Sequence, residues 1–213
     1  MPDLTLYHFP NACSQVAVYS LEKARLRYDL KLVNLVTNEQ GADTYKAISP
    51  LGKVPALLVD GETLTENAAI QIYIAALAPD AGLFPADPSP RGQAEVVAGL
   101  AFCGGTLHPI VRGIANPARI TAGDGAPVRE RSIELANKSF GYAEKRIAER
   151  RWWLGEGSTI DVYLNWAFGV AQRGGFDTSR FPQLTALAER LTERAAFRRM
   201  LEIEAESRIK LGL

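Results

Sequence analysis

The sequence predicts an α/β domain followed by an all-helical domain, and three observations support this fold class. The first part of the chain alternates between strand and helix patterns. A segment dense in proline, glycine and aspartate follows at residues 79–90, and such residues interrupt helices and strands. Beyond it, apolar residues recur at helical spacing. We therefore predict domains at residues 1–80 and 89–213, joined by a linker at residues 81–88.

The first domain begins with a predicted β-α-β unit. Residues 3–8 alternate between apolar and polar as a half-buried strand does, and residues 14–27 carry apolar side chains at helical spacing. Residues 30–35 form a second apolar run of strand length. Two strands separated by one helix in this way are typical of an α/β domain.

Two reactive side chains fall where the first strand gives way to the helix. Cys13 and Ser14 follow Pro10, Asn11 and Ala12 at this junction. The first N–H groups of a helix have no partner within the helix, so they stabilise a nearby anion such as a thiolate. The junction is therefore a candidate site for thiol chemistry.

A hairpin and a further helix complete the first domain. A short amphipathic stretch at residues 44–48 precedes two predicted strands, at residues 54–59 and 63–65. Asp60 and Gly61 between them are typical of a tight turn. From Glu66 the pattern is helical again.

The second half carries helical stripes throughout. One stripe leads towards a pair of tryptophans, and another follows Pro182, a residue favoured at the first position of a helix. The stripes consist of Ile133, Ala136, Phe140, Ala143 and Ile147, and of Leu184, Leu187, Ala188 and Leu191. We also expect Cys103, which lies in an apolar run, to be a packing residue.

Composition excludes several classes of function. The 213 residues are 47% hydrophobic, and 24 Lys and Arg balance 24 Asp and Glu, so the basic excess that drives nucleic-acid binding is absent. No signal-peptide pattern and no run of 18 apolar residues is present, so we expect a cytoplasmic protein without membrane association. The two cysteines and two histidines show no zinc-ligand spacing, and no metal is expected.

Two further pairs of residues suggest a peptide-binding site in the first domain. Pro55 excludes a helical Val54, and a cis bond between them would turn the N–H and C=O of Val54 outward, where an extended peptide can pair with them. Glu66 and Asn67 stand at a strand-to-helix junction, where a carboxylate can bind an ammonium group and the helix start can bind a carboxylate. Such a site suits the zwitterionic end of a γ-glutamyl peptide.

Four stretches of the chain resemble motifs of the cytosolic glutathione transferases, most closely the bacterial beta class. The resemblance covers nearly all of the sequence. Residues 10–14 are similar to the P-G-A-C-S stretch of the beta class, residues 49–57 to its N-P-x-G-x-V-P-A-L segment, and residues 64–67 to its L-T-E-[GSN] motif. Residues 155–161 look like the family's capping box, in which Ser158 and Asp161 bond reciprocally.

The resemblance implies a thioredoxin-like domain followed by a helical domain, and a homodimeric enzyme of detoxification. It implies that the glutathione thiolate attacks a small hydrophobic electrophile, with glutathione as co-substrate. The implied catalytic residues are Cys13, Ser14 and His108. The implied glutathione-binding residues are Lys53, Val54, Pro55, Glu66 and Asn67.

The role of Ser14 has two interpretations that stay open at this stage. It is either an ordinary cap of the helix or a hydroxyl that holds the glutathione sulfur. In the second case Cys13→Ala would retain part of the conjugating activity. His108 has a similar pair of readings, because a lone histidine is often structural, whereas the beta class carries a histidine facing its cysteine in this region.

Two alternative functions also remain. Cys13 can itself be the nucleophile of a glutathione-dependent disulfide reductase, or the chain can be a binding protein without catalysis. The sequence departs from the beta class at Thr37 to Gln40, where that class has a lysine, and at Ala101 and Phe102, where it has an asparagine. His8 stands where that class has a tyrosine.

Overall fold

The computed structural model describes residues 2–155 and 157–213. It divides into two compact units, of which the first comprises Met1–Leu83 with Glu193–Leu213 and the second comprises Phe84–Thr192. The C-terminal helix therefore groups with the N-terminal unit. The domain boundaries expected from the sequence, with a linker at residues 81–88, stay a prediction.

The described helices and strands follow the predicted fold class. The strands are β1 (Leu4–His8), β2 (Asp29–Leu32), β3 (Ala56–Val59) and β4 (Glu62–Leu64). The helices are α1 (Gln15–Ala24), α2 (Asp43–Lys46), α3 (Asn67–Leu77), α4 (Pro90–Ala101), α5 (His108–Ala115), α6 (Ala126–Arg150), α7 (Thr159–Arg173), α8 (Pro182–Thr192) and α9 (Ala195–Leu211).

The first unit is built on a four-stranded sheet in the order β2-β1-β3-β4. β1 pairs in parallel with β2 and antiparallel with β3, and β4 is antiparallel to β3. The β-α-β unit and the hairpin predicted from the sequence are both present. This sheet confirms the predicted thioredoxin-like architecture.

The central strand β1 differs from its predicted pattern. All five of its residues are buried, although the sequence alternates between apolar and polar as a half-exposed strand would. Tyr7 packs in one cluster with Val33, Tyr45 and Ala56, and α1 also contacts β1. Because β1 lies between two strands and is covered by packed side chains, its polar residues Thr5 and His8 are buried as well.

Helix α1 ends three residues earlier than predicted. Arg25 adopts a left-handed backbone with φ of 52°, and the N–H of Leu26 donates to the carbonyl of Leu21. This bond closes the helix end in the usual way. The hairpin turn agrees with its prediction, because Asp60 and Gly61 both have positive φ, as a two-residue turn between twisted strands requires.

All regular secondary structure of the second unit is helical within its described residues. Four of the five predicted stripe positions on α6 are fully buried, namely Ala136, Phe140, Ala143 and Ile147. The ring of Phe140 contacts those of Phe168, Phe176 and Phe181, with centroids 5.2 to 6.1 Å apart. Cys103 is buried, as predicted for a packing residue.

Two acids, the buried Asp161 and the half-buried Glu144, cap helices of the second unit. The predicted capping box is present, and the carboxylate of Asp161 accepts from the N–H of Ser158 and from that of Trp153, each at 2.8 Å. Glu144 of α6 accepts from the N–H groups of Gln183 and Leu184 at 2.8 and 3.0 Å. These carboxylates satisfy donors that the starts of α7 and α8 would otherwise leave unpaired.

One helical run has the length and apolarity of a membrane span. It extends from Pro90 to Ala115, with a mean hydropathy of 1.4 over its best window. Length and composition alone support this reading, and a core helix of a globular protein passes the same test. The run also includes a π-helical turn at Phe102–Leu107, so it is not one regular helix.

We predict that Gly99→Ala destabilises the protein by about 1–3 kcal/mol through overpacking. A Cβ at position 99 would lie 2.6 Å from Ile160 Cδ1 and 2.6 Å from Trp153 Nε1. Denaturant unfolding measures the change. The matched control is Gly141→Ala on α6, where a Cβ meets nothing within 4 Å. There we expect the free energy of unfolding to rise by up to about 1 kcal/mol. Equal effects of the two substitutions would contradict the prediction.

Candidate functional site

The loop between β1 and α1 carries the candidate thiol. Cys13 lies two residues before the first residue of α1, is only 6% exposed, and is not in a disulfide. Its Sγ donates to the carbonyl of Val54 at 3.5 Å. The structure thus brings together the cysteine and the backbone of the Val-Pro segment, which are 41 residues apart in sequence.

The segment before β3 is held by hydrogen bonds on its inner side. The Val54–Pro55 bond is cis. The carbonyl of Lys53 accepts from Tyr45 Oη at 2.8 Å and from Ser49 Oγ at 2.9 Å. Burial raises the pKa of Tyr45 to about 12, so its hydroxyl keeps its proton at neutral pH. The side chain of Lys53 is left exposed, while Val54 is half-buried.

The start of α3 contributes a buried amide and an exposed acid. The side-chain amide of Asn67 donates to the carbonyl of Cys13 at 3.0 Å and accepts from Gln71 Nε2 at 2.8 Å. Asn67 therefore connects α3 to the loop of residues 9–14 between β1 and α1, here named the active loop. Glu66 precedes it with φ of 66° and is exposed. The role expected for Glu66, the binding of an ammonium group, stays a prediction.

The hydroxyl of Ser14 is directed into the unit. Ser14 is fully buried, and its Oγ lies 2.8 Å from His8 Nδ1 and 3.3 Å from both the N and the O of Phe9. It makes no cap hydrogen bond to α1. A hydroxyl in this position would have to break its contacts with His8 Nδ1 and with the N and O of Phe9 before it could reach a bound sulfur.

Sequence reasoning missed two residues that support the active loop, His8 and Glu204. Both are buried, and Glu204 belongs to α9. One signal was available, because Glu204 falls on the same helical face as Phe197, Met200 and Ser207, which are also buried. An acid on an otherwise buried face indicates a specific partner.

His108 lies in the second unit, at the first residue of α5. Its Nδ1 is 3.3 Å from Tyr163 Oη, and its ring meets that of Trp166 edge-on at 4.6 Å between centroids. The π-helical turn that precedes it contains Gly104 and Gly105, and π-helical turns are frequent at functional sites. His108 therefore belongs to a polar and aromatic cluster of its own unit.

The remaining cysteine has the chemistry of a packing residue. Burial raises the pKa of the Cys103 thiol well above its usual value, and the nearby Asp161 carboxylate adds to the effect. Within residues 2–155 and 157–213, no three His, Cys, Asp or Glu side chains form a group able to hold a metal.

Comparison with known proteins identifies relatives over nearly the whole length. A family model described as the N-terminal domain of glutathione S-transferase matches residues 2–76. The glutathione S-transferase GST-4.5 of Xanthomonas campestris is 31% identical over 94% of this chain and 98% of its own. The maleylacetoacetate isomerase of Pseudomonas aeruginosa is 29% identical over 92% of this chain and 94% of its own.

Solved structures extend the similarity to the fold. A glutathione transferase homologue from Sulfitobacter with bound glutathione superposes with a TM-score of 0.85, at 30% identity over 95% of this chain and 98% of its own. A beta class glutathione S-transferase from Sphingomonas chungbukensis gives a TM-score of 0.83, at 31% identity over 94% and 98%.

Proposed function

Because the chain belongs to the glutathione S-transferase family, we propose that it joins the sulfur of glutathione to a small hydrophobic electrophile. The observation that carries the proposal is the contact of the Cys13 thiol with the Val54 backbone in the thioredoxin-like unit. The similar transferase homologue from Sulfitobacter holds bound glutathione. The glutathione thiol loses its proton to solvent water, and an electron pair of the thiolate sulfur forms the new C–S bond. The leaving group departs with the electron pair of the bond that breaks.

Glutathione would lie extended along the Val54 backbone in this proposal. The γ-glutamyl ammonium group would meet the exposed carboxylate of Glu66. The carboxylate of the same γ-glutamyl end would meet the helix start at Asn67. The exposed Lys53 side chain would then be available for the other carboxylate of the peptide. Charge pairs of this kind orient a zwitterionic ligand as well as binding it.

Cys13 is the group that we assign to the glutathione sulfur. The other sequence candidate, the Ser14 hydroxyl, is fully buried against His8 and Phe9. Removing it from those partners would leave polar groups of the first unit unsatisfied, which costs about 1–3 kcal/mol. For His108, which lies in the second unit, the catalytic role that the resemblance implies stays a prediction.

A second function is favoured by the same thiol. The Cys13 thiolate could attack a mixed disulfide of glutathione, which forms a Cys13–glutathione disulfide and releases the substrate thiol. A second glutathione thiolate would then restore Cys13 and leave as oxidised glutathione. Only a thiol can take this route, so the two reactions separate by mutation.

We expect Glu66→Ala to remove most glutathione binding, by about 1.5–3 kcal/mol, because the ammonium group loses a charged hydrogen-bond partner. Calorimetric titration of the purified protein measures the affinity. Glu62→Ala on β4 is the matched control, since Glu62 is also an exposed acid of the first unit, and it should bind as the unchanged protein does. Equal affinity in Glu66→Ala would remove Glu66 from the site.

Cys13→Ala tests the assignment of the sulfur. We expect disulfide reduction to vanish, because no mixed disulfide can form, and conjugation to fall at least about tenfold because the glutathione thiolate loses its donor. Both reactions are assayed, and Cys103→Ala is the control. It shows whether an effect comes from the loss of Cys13 itself or from the loss of any cysteine. Full conjugation in Cys13→Ala together with loss in Ser14→Ala would instead favour the hydroxyl.

We further propose that the protein is a homodimer, since two-fold symmetric dimers are the commonest oligomers of soluble proteins. The second unit exposes Val97 and Tyr142, which are 57% and 53% accessible, and association of two copies would remove such apolar surface from water. Light scattering should give twice the 23.2 kDa of the chain at micromolar concentration, and Val97→Glu should lower it. A particle of 23.2 kDa for the unchanged protein would rule out the dimer.

A further inference from the structure

A chain of buried polar groups runs from α9 to the active loop. The Oε1 of Glu204 lies 3.0 Å from Nε2 of His8, and the Nδ1 of the same imidazole lies 2.8 Å from Ser14 Oγ. The other oxygen of Glu204 accepts from the backbone N–H of Asn11. The imidazole is fully buried and the Glu204 side chain is 8% exposed.

The protons of this chain can be arranged in two ways. With a neutral His8, the carboxylate favours a proton on Nε2, and Nδ1 then accepts from the Ser14 hydroxyl. With a charged His8, Nδ1 donates to Ser14, whose hydroxyl then donates to the carbonyl of Phe9. In both arrangements Glu204 fixes the orientation of the imidazole, and the imidazole fixes the hydroxyl.

These contacts hold three backbone groups of the active loop, two on Phe9 and one on Asn11. Phe9 is held through its N and O by Ser14 Oγ, and Asn11 is held by Glu204. Asn11 also adopts a left-handed backbone with φ of 63°, a conformation that needs support from its surroundings. Cys13 lies between the Asn11 and Ser14 contacts, so its position depends on both.

We propose that Glu204 and His8 are positioning residues that hold the loop of Cys13 in its binding geometry. The consequence for glutathione rests on the proposed function, in which this loop receives the glutathione sulfur. Buried ionisable groups are a poor source of net stability because of their desolvation. The contact between His8 and Glu204 has the distance of an ion pair, whereas those between His8 and Ser14 and between Asn11 and Glu204 are hydrogen bonds. Buried polar contacts of this kind fix geometry, and a functional site requires fixed geometry.

The test follows the alkylation of Cys13 by iodoacetamide in the folded full-length protein, read by mass spectrometry. Glu204→Ala removes both contacts of the carboxylate, and Glu204→Asp shortens the side chain so that it cannot reach His8 and Asn11 together. Glu204→Gln can restore both bonds, with the amide donating to His8 and its oxygen accepting from Asn11. The controls are the same three substitutions at Glu206, which is exposed on α9.

Loosening the loop exposes a thiol that is now nearly buried. We therefore expect Glu204→Ala to speed alkylation of Cys13 about tenfold, Glu204→Asp to speed it less, and Glu204→Gln and the Glu206 variants to leave it near the original rate. The KM for glutathione should rise in the same order. Unchanged alkylation and KM in folded Glu204→Ala would overturn the proposal.

The positioning role stays testable if Glu204→Ala does not fold and if the protein does not bind glutathione. If Glu204→Ala does not fold, the rates of Glu204→Asp and Glu204→Gln decide, and equal rates overturn the proposal. Alkylation requires no glutathione, so an unchanged protein that fails to bind glutathione would refute the proposed function while the positioning role is still tested by the alkylation rates.

Discussion

The active loop of this protein depends on one buried carboxylate, that of Glu204. A short loop between a buried strand and a helix exposes few backbone groups to water, so its N–H and C=O groups need partners within the protein. Glu204 provides one for Asn11 directly and, through His8 and Ser14, reaches Phe9. The geometry of the loop is therefore set by polar contacts that begin on the C-terminal helix.

The same loop is fastened from two other directions in the first unit. Asn67 at the start of α3 donates to the carbonyl of Cys13, and the Cys13 thiol reaches the carbonyl of Val54. Tyr45 and Ser49 in turn hold the residue before Val54. Polar side chains thus join three segments of the chain at the cysteine, where apolar packing alone would fix distances but not directions.

The sequence predicted the elements of the fold better than the contacts of the site. Helices and strands follow from local spacing, and the cis-compatible Val54–Pro55 pair and the cysteine at a helix start are local motifs as well. The support from Glu204 is not local, because Asn11 and Glu204 are 193 residues apart. Nor did the pattern of β1 predict the burial of His8, since a polar residue in an alternating strand is expected to face solvent.

The burial of Ser14 bears on the two roles that the sequence left open, a helix cap and a hydroxyl for the glutathione sulfur. A hydroxyl can donate only one proton, and here that proton is shared between His8 and the Phe9 carbonyl. A serine that completes the support of the loop cannot donate to a ligand sulfur at the same time. The thiol of the neighbouring cysteine has a longer contact, to the Val54 carbonyl at 3.5 Å against 2.8 Å from Ser14 Oγ to His8, so in the proposed function these adjacent residues of similar size divide chemistry and support between them.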